Sequence, residues 1–384
     1  MASTKMINPF IYGKVVQGDD FFDRVQERGR LLQLLQGKNH VLVTGDRRIG
    51  KTSLLLTCFE ELEKQDIPTF YFNLDPITKI DIFLERYGTL FTRKTAWASR
   101  ALQILKTGLK GFKLDIELDE KGSPAASLNW EGKGSVKAQD IQEILLLPQR
   151  LAHKNKQRFV ICFDEFQVSQ AISGVDLVAE MRTSFQEQPD VTYIFMGSEM
   201  SVLDQLFSSP REKFFNSATK FHVGPISRDD FIQFMKKKFS KRGLSLSHQT
   251  GDLLCQWAHD VPAHIQHLCS CLWDLLPSDE REITPDRVQG AVLSDIESRG
   301  QFYLQIWQTI GDEKDKLILR RLATAGDLAV SSPEFCLPLS MNPATATRRL
   351  RKMVAKTRGA VIHQRSTGYV FSDPFFEEWV RQKT

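Results

Sequence analysis

The residues best suited to chemistry lie in a glycine-rich segment near the start of the chain. Its pattern is G-x-x-x-x-G-K-[ST], from Gly45 to Thr52, with an apolar run before it and a helical pattern after it. The glycines let backbone N–H groups face the phosphates of a nucleotide, helped by the N-terminus of the helix. Lys51 would reach the β- and γ-phosphates as a catalytic cation, and Thr52 would bind Mg²⁺. The predicted phosphate-binding residues are Gly45, Asp46, Arg47, Arg48, Ile49, Gly50, Lys51, Thr52 and Ser53, and the alternative is a purely structural turn.

Two neighbouring carboxylates, Asp164 and Glu165, follow a second apolar run that ends at Phe163. Beside a phosphate-binding loop, a carboxylate at a strand end holds the Mg²⁺ shell, and another acidic group can orient the attacking water. We therefore expect Asp164 to be the metal-side residue and Glu165 the catalytic one. A water-activating glutamate indicates ATP hydrolysis rather than transfer to an acceptor. The alternative is a pair that only caps the next helix.

Two further residues are candidates for contact with the γ-phosphate. Ser198 follows an apolar run that ends near Met196, so it would sit at a strand tip beside the phosphates, the role called sensor 1. A plain helix N-cap is its alternative. Arg211 lies downstream and is the candidate arginine finger, a residue type that stabilises the transferring phosphoryl group. Its alternative is an exposed loop arginine without a role.

The pattern of elements around these motifs predicts an α/β fold. Short apolar runs alternate with helical patterns, which is typical of a parallel sheet with right-handed crossovers. The predicted strands are His40–Thr44, Thr69–Leu74, Arg158–Phe163, Thr192–Met196 and Phe221–Val223, and a long helix is predicted over Ile80–Leu105. Residues 107–138 break the rhythm with alternating apolar and polar residues, which predicts an inserted hairpin that could serve as a mobile or partner-facing flap.

The remaining sequence reads as helical until close to its end. We predict a P-loop core over residues 1–226, a helical lid over 227–300 and a C-terminal winged helix-turn-helix over 301–384. The winged helix is predicted from successive helices followed by two short strands. The fold class is therefore a P-loop NTPase parallel sheet of the AAA-like type, with a lid and a winged helix.

Positive charge is concentrated in the last part of the chain. The formal net charge is +4, and residues 311–384 carry thirteen basic and eight acidic side chains, so this segment holds +5 and the rest sums to −1. Arg348, Arg349 and Lys352 share one predicted helix face, and Arg365 falls on the predicted wing. Such residues would contact phosphates and base edges of DNA. The alternatives are a solvated helix face and a protein-docking or packing element.

Composition excludes several classes of protein. A hydrophobic content of 41% with 26% charged residues is ordinary for a folded chain of 384 residues. The start of the chain has no secretory pattern, and no apolar run is long enough for a membrane span. We therefore expect a cytoplasmic protein without a membrane partner. The six cysteines are expected to be buried free thiols, since C-x-C at Cys269 and Cys271 is a weak zinc signal.

These motifs together resemble the archaeal-type ATPase family, a group of AAA-like and STAND-type P-loop NTPases that also occurs in bacteria. The resemblance covers nearly the whole chain. It is carried by the phosphate-loop segment, the strand ending in Asp164 and Glu165, and further segments at Asn8–Arg24, Ile194–Ser201, Phe214–Ile226, Asp260–Pro262 and Phe371–Trp379.

The resemblance implies further site residues. Tyr12 and Val16 would line the adenine pocket, and Pro262 of the lid would lie near the nucleotide. Two departures from the family pattern stand out: Asp260 replaces a frequent glycine, and Ser217 replaces a frequent arginine that could act as a finger. The second departure directs attention to Arg211 and predicts slow or partner-stimulated turnover.

Three functions are compatible with these motifs and with the family resemblance. The first is an ATP- and Mg²⁺-dependent molecular switch that changes conformation or forms a homo-oligomer to regulate a protein partner. The second is a DNA-binding ATPase, such as a loader or a regulator of replication or transposition. The third is an interaction scaffold in which ATP is a structural ligand. No nuclease or protease motif stands out, which places any effector activity on another chain.

Overall fold

The computed structural model describes residues 7–92, 112–118, 124–130, 136–326, 328–354, 361–365 and 368–383. It divides the chain into two compact units, Arg24–Gly224 and Met1–Asp23 together with Pro225–Thr384. We call them the sheet unit and the helical unit. The domain boundaries proposed from the sequence, including those of the lid, stay predictions.

The sheet unit alternates strands and helices. Its strands are β1 (Val41–Thr44), β2 (Thr69–Asn73), β3 (Phe112–Leu118), β4 (Pro124–Trp130), β5 (Phe159–Asp164), β6 (Val191–Gly197) and β7 (Thr219–His222). Its helices are α1 (Val25–Gln36), α2 (Lys51–Glu63), α3 (Ile80–Thr92), α4 (Ala138–Leu145), α5 (Leu147–Asn155), α6 (Leu177–Gln186) and α7 (Met200–Ser208), with a 3-10 helix at Phe166–Ala171.

Five strands form a parallel sheet in the order β2-β5-β6-β1-β7. The predicted α/β fold with a parallel sheet is confirmed. The edge strand β7 begins two residues earlier than predicted, because only Phe221 of its four residues is buried and apolar periodicity is faint there. Strands β3 and β4 pair antiparallel, with Phe112 opposite Trp130. Residues 93–111, 119–123 and 131–135, which include parts of the predicted long helix and inserted hairpin, lie outside the described residues.

An aromatic core lies against the sheet. Phe70 and Phe72 of β2 pack beside Phe163 of β5, and Tyr193 of β6 stacks on Phe185 with ring centroids 3.8 Å apart. Burying one such side chain contributes about 1.5–3 kcal/mol, and aromatic pairs add to this. The core fixes the relative positions of β1, β5 and β6, whose carboxyl ends meet at one edge of the sheet, where ligands of open α/β folds bind.

The helical unit is built mainly from helices. They are α8 (Arg228–Ser240), α9 (His248–Trp257), α10 (Pro262–Leu275), α11 (Pro285–Ser298), α12 (Gly300–Thr309), α13 (Glu313–Thr324), α14 (Pro333–Cys336), α15 (Pro343–Val354) and α16 (Pro374–Gln382), with 3-10 helices at Gly18–Asp20 and Leu337–Leu339. Its strands are β8 (Ser245–Leu246), β9 (Glu282–Ile283), β10 (Ile362–Arg365) and β11 (Gly368–Phe371).

The N-terminal segment packs on helices of this unit. Phe10 contacts Phe239 with ring centroids 4.6 Å apart, and Phe22 stacks on Phe234 at 3.9 Å. The Asn8 amide also donates to the Ser270 hydroxyl over 2.8 Å. These contacts join residues more than 200 positions apart, which explains why periodicity along the chain does not reveal them.

One continuous apolar core runs from α8 to α16. Near the C-terminus, β10 and β11 pair antiparallel, with Ile362 opposite Phe371, and both side chains are buried. Helices followed by two paired strands agree with the predicted order of elements, and their assignment as a DNA-binding winged helix stays a prediction. All six cysteines are free thiols. In the described part of the chain, no helix has the length and hydropathy needed to traverse a bilayer.

Candidate active site

The glycine-rich loop connects β1 to α2 at the carboxyl edge of the sheet. A Cβ on Gly45 would lie 2.6 Å from the Val223 carbonyl oxygen, so no side chain fits there. Gly50 has a φ of +97°, which side-chain-bearing residues rarely adopt. Arg48 also takes a left-handed conformation. This backbone curls ahead of α2, whose first residue is Lys51. The first N–H groups of a helix have no partner within it and can bind an anion.

The side chain of Lys51 reaches back to the loop from the start of α2, and the residue is 8% exposed. Its Nζ donates to the carbonyl oxygens of Gly45 and Asp46, each over 2.8 Å. Burial lowers its pKa, while the carboxylates of Glu165 and Asp164 act in the opposite direction. A buried ammonium group that is held only by loop carbonyls is well placed to meet a phosphate group.

The Arg24 side chain hydrogen-bonds to the backbone of the loop and is 1% exposed. Its Nη2 donates to the carbonyl oxygens of Ile49 and Gly224 over 2.8 and 2.9 Å, and its Nη1 pairs with Glu27. Arg24 ends one of the segments that carry the family resemblance, but the sequence alone indicates no role for it. A buried guanidinium has several donors in a fixed plane, so it can hold two separate backbone carbonyls at once.

Asp164 ends β5 beside Thr52 and is 7% exposed. Its Oδ1 accepts from the Glu165 backbone N–H over 2.8 Å, and its Oδ2 accepts from the hydroxyl of Tyr71. The Thr52 side chain lies close to that same hydroxyl. Burial raises the pKa of Asp164, and the Tyr71 bond opposes this. The Thr52 hydroxyl and the Asp164 carboxylate are oxygen ligands of the kind that Mg²⁺ prefers, so this pair of residues fits the ion.

Glu165 occupies a left-handed backbone conformation, with φ of 52°. Its Oε2 accepts from the Gln167 amide over 2.5 Å and from the Ser198 hydroxyl over 3.2 Å. Gln167 has no signal in the sequence beyond its position two residues after Glu165. A Cβ on Gly197 would lie 2.2 Å from Gln167 Oε1, so a larger residue there would require the Gln167 amide to shift from its present position. Non-glycine residues held in this conformation cluster at functional sites.

Ser198 connects the loop to the Glu165 carboxylate. Arg47 Nε donates to the Ser198 oxygen over 3.2 Å, and that hydroxyl donates to Glu165. The N-cap of α7 is Glu199, so the capping alternative for Ser198 is not what the geometry shows. Burial raises the pKa of Glu199, with Glu165 adding to it and Arg47 opposing it. Similarly, Glu165 makes no side-chain capping bond to its 3-10 helix.

Arg211 lies in the loop that follows α7 and is exposed. Among the described residues, no hydrogen bond or ion pair to its guanidinium is found. The nearby Ser217 donates to the Phe214 carbonyl over 2.7 Å and so completes a turn. The sheet unit therefore does not bring Arg211 to Glu165, and a role as a finger stays a prediction.

The residues expected near the adenine belong to the helical unit. Tyr12 packs edge-on against His267 with ring centroids 4.5 Å apart, and Val16 is partly buried. Pro262 is the first residue of α10. Asp260, one of the departures from the family pattern, forms a two-point pair with Arg228 at 2.6 and 2.8 Å. Their placement beside a base stays a prediction.

The predicted DNA-contacting residues differ in their surroundings. Arg348 and Lys352 are exposed on α15. Arg349 pairs with Asp312 and Asp315 at 2.8 and 2.6 Å, and these two carboxylates compete with a phosphate for it. Arg365 ends β10, and its side chain lies outside the described part.

A family model described as an ATPase domain found predominantly in Archaea matches residues 21–252. The chain belongs to this family. The resemblance drawn from the motifs is therefore confirmed, and the chain is an ATPase with a nucleotide-binding P-loop. No curated protein matches it by sequence.

Solved structures show the same fold at low identity. A Walker-type ATPase of Pyrococcus abyssi is 17% identical with a TM-score of 0.65, covering 96% of this chain and 98% of its own. The ORC1 protein of Aeropyrum pernix, solved in complex with DNA, is 13% identical with a TM-score of 0.52, covering 95% and 94%. ORC2 of Aeropyrum pernix, solved with ADPNP and ADP, is 11% identical with a TM-score of 0.52, covering 95% of each chain.

Proposed function

We propose that this ATPase is a nucleotide-dependent switch that regulates a protein partner. The observation that carries the proposal is the hydrogen-bonded chain from Arg47 of the loop through Ser198 to Glu165. Phosphate at the loop would compete for Arg47 and so alter the contacts of the catalytic carboxylate. A switch needs contacts that differ between its nucleotide states, and this series of hydrogen bonds would supply them.

The site residues divide the work of hydrolysis among them. The loop N–H groups and Lys51 bind the phosphates, and Thr52 and Asp164 would hold Mg²⁺. When bound, Mg²⁺ would neutralise charge on the phosphate oxygens. Glu165 orients a water molecule and takes its proton at a carboxylate oxygen while the water oxygen bonds to the γ-phosphorus. The bond from that phosphorus to the bridging oxygen breaks, which releases ADP and inorganic phosphate. Burial of Lys51 and Asp164 strengthens their electrostatic effect, because little water screens them.

ATP turnover by the full-length protein tests the enzymatic part of this proposal. Lys51→Ala is expected to abolish ATP binding, whereas Glu165→Gln should keep binding and lower hydrolysis by about 10²–10⁴, the usual contribution of a general base. Lys64→Ala is the matched control, because Lys64 is exposed at the far end of the same helix. A wild type that neither binds nor hydrolyses ATP would overturn the proposal.

The switch itself is tested by the partner's response. Glu165→Gln should trap one nucleotide state and lock the regulated activity. If that variant works like the wild type in cells, ATP acts as a structural ligand and the scaffold function is favoured instead.

A homo-oligomer completed by Arg211 is part of the same proposal. Arg211 is exposed, as a finger reaching into another subunit must be. An Arg211→Ala subunit keeps its own Glu165, and a Glu165→Gln subunit keeps its Arg211. Mixing these two weakly active variants should restore ATPase activity if Arg211 acts across an interface, where a finger contributes about 10³–10⁵ in rate. No restoration would exclude Arg211 from this role.

DNA binding through α15 is a second candidate function. It is supported by the exposure of Arg348 and Lys352 and by the fold likeness to an ORC1 protein that was solved with DNA. Duplex binding measured by fluorescence anisotropy should weaken steeply with salt. Replacing both residues by alanine should weaken binding, while alanine at Lys237 and Lys241, exposed at the end of α8, should not. Absence of binding at low salt would rule out this function.

A further inference from the structure

Tyr71 reaches the metal side of the site from the neighbouring strand. Along β2, Phe70 and Phe72 enter the aromatic core, so Tyr71 points to the opposite face of the sheet. In the register of β2 and β5, Tyr71 lies opposite Cys162, two residues before Asp164. The ring therefore extends along the sheet toward the strand end. Strand alternation explains its direction, but its partners depend on the order of strands in the sheet.

The Tyr71 hydroxyl lies beside the two residues that our proposed function assigns to Mg²⁺. It donates to Asp164 Oδ2, and the Thr52 side chain lies close to it. The other oxygen of Asp164 is occupied by the Glu165 N–H at 2.8 Å. Each carboxylate oxygen thus has one fixed donor, and free lone pairs remain on both. Removing the Tyr71 hydroxyl would leave Oδ2 of a nearly buried carboxylate without this partner.

We propose that Tyr71 is a positioning residue for the nucleotide-bound Mg²⁺. Its hydroxyl holds the Asp164 carboxylate in one orientation beside Thr52 before the ion arrives, so less ordering remains to be done on binding. This inference rests on the proposed role of Thr52 and Asp164. Outer hydrogen-bond partners of metal ligands typically change metal affinity by about 10–100-fold. Tyr71 makes no direct contribution to phosphate binding in this scheme.

The test uses the full-length protein and the fluorescent analogue mant-ATP. Binding is measured first in EDTA and then while MgCl₂ is titrated. Tyr71→Phe keeps the ring and removes only the hydroxyl. It should bind mant-ATP normally in EDTA but need about 10–100-fold more Mg²⁺ for the tight complex. Electron paramagnetic resonance of Mn²⁺ in the same complex should show an equal loss of affinity, which provides a readout independent of hydrolysis.

Tyr193→Phe is the matched control. Its hydroxyl donates to Gln188 over 2.7 Å within the core of the same sheet, so its Mg²⁺ requirement should equal that of the wild type. Normal binding in EDTA shows that each variant is folded.

The outcomes separate this inference from the proposed function. A Mg²⁺ midpoint in Tyr71→Phe equal to the wild type would overturn the positioning role. A lower midpoint would also overturn it, because the hydroxyl would then be a competitor of the ion. If the wild type shows no Mg²⁺-dependent tightening, the assignment of Thr52 and Asp164 fails, and the inference fails with it. If Mg²⁺ tightens mant-ATP binding by the wild type and by Tyr71→Phe alike, the proposed function stands and the positioning role of Tyr71 is rejected.

Discussion

Removal of the Arg24 side chain should destabilise the sheet unit and disturb the phosphate-binding loop. Arg24→Ala leaves the Ile49 and Gly224 carbonyl oxygens without this donor in a setting that is buried or partly buried. Each unsatisfied buried acceptor costs about 1–3 kcal/mol, so the two together cost about 2–6 kcal/mol. The pair with Glu27 adds little, because Glu27 is partly exposed. For a unit of this size, the midpoint of thermal unfolding should fall by roughly 4–24 °C.

Arg28→Ala is the control, since it lies on the same helix. The Arg28 side chain is 38% exposed and pairs with Glu61 at 3.4 Å, and such surface pairs contribute about 0–1 kcal/mol. Thermal unfolding followed by circular dichroism compares the two variants, and mant-ATP binding reports on the loop. Arg24→Lys should fall between them, because one ammonium group cannot replace a planar fork that holds two carbonyls. Equal unfolding midpoints for Arg24→Ala and Arg28→Ala would refute the reasoning.

Three other predictions concern hydrogen bonds, two in the sheet unit and one in the helical unit. Gln167→Met removes a donor to the Glu165 carboxylate, and a bond to a charged group contributes about 1.5–3 kcal/mol, so kcat should fall about 10–100-fold with unchanged ATP affinity. Gly197→Ala should lower kcat similarly, since its Cβ collides with Gln167. Although burial acts to raise the pKa of Asp295, bonds from His267 and Arg299 hold it below its usual value, so Asp295→Asn should flatten the acid dependence of stability measured by urea unfolding.

The controls and contradicting results follow from the same contacts. Gly29→Ala should leave kcat unchanged, because a Cβ on Gly29 meets nothing within 4 Å. A Gln167→Met enzyme with normal kcat would show that Ser198 alone orients Glu165. For Asp295, a folded pKa below the unfolded one means that its stabilisation is present above the unfolded value near pH 3.9 and is lost as pH falls further. An acid-unfolding curve unchanged by Asp295→Asn would contradict this assignment.

Several strands could be predicted from local sequence patterns, and the differences from the structure have physical reasons. Strands β1, β2, β5 and β6 were predicted because their residues are almost continuously apolar, as strands covered on both faces are. The edge strand β7 was placed two residues late, since three of its four residues are exposed. The N-terminal segment gave no sign of packing on α8 and α10, because its partners follow it by more than 200 residues.

The phosphate-binding loop and the pair Asp164 and Glu165 are determined by the sequence itself, because each is a strand, a turn and a helix start within about ten consecutive residues. Local backbone geometry dictates their chemistry. Only the tertiary structure decided that Arg24 supports the loop, that Gln167 and Ser198 hold Glu165, and that Tyr71 donates to Asp164. Most of these contacts cross between elements far apart in the chain, and the order of strands in the sheet sets them.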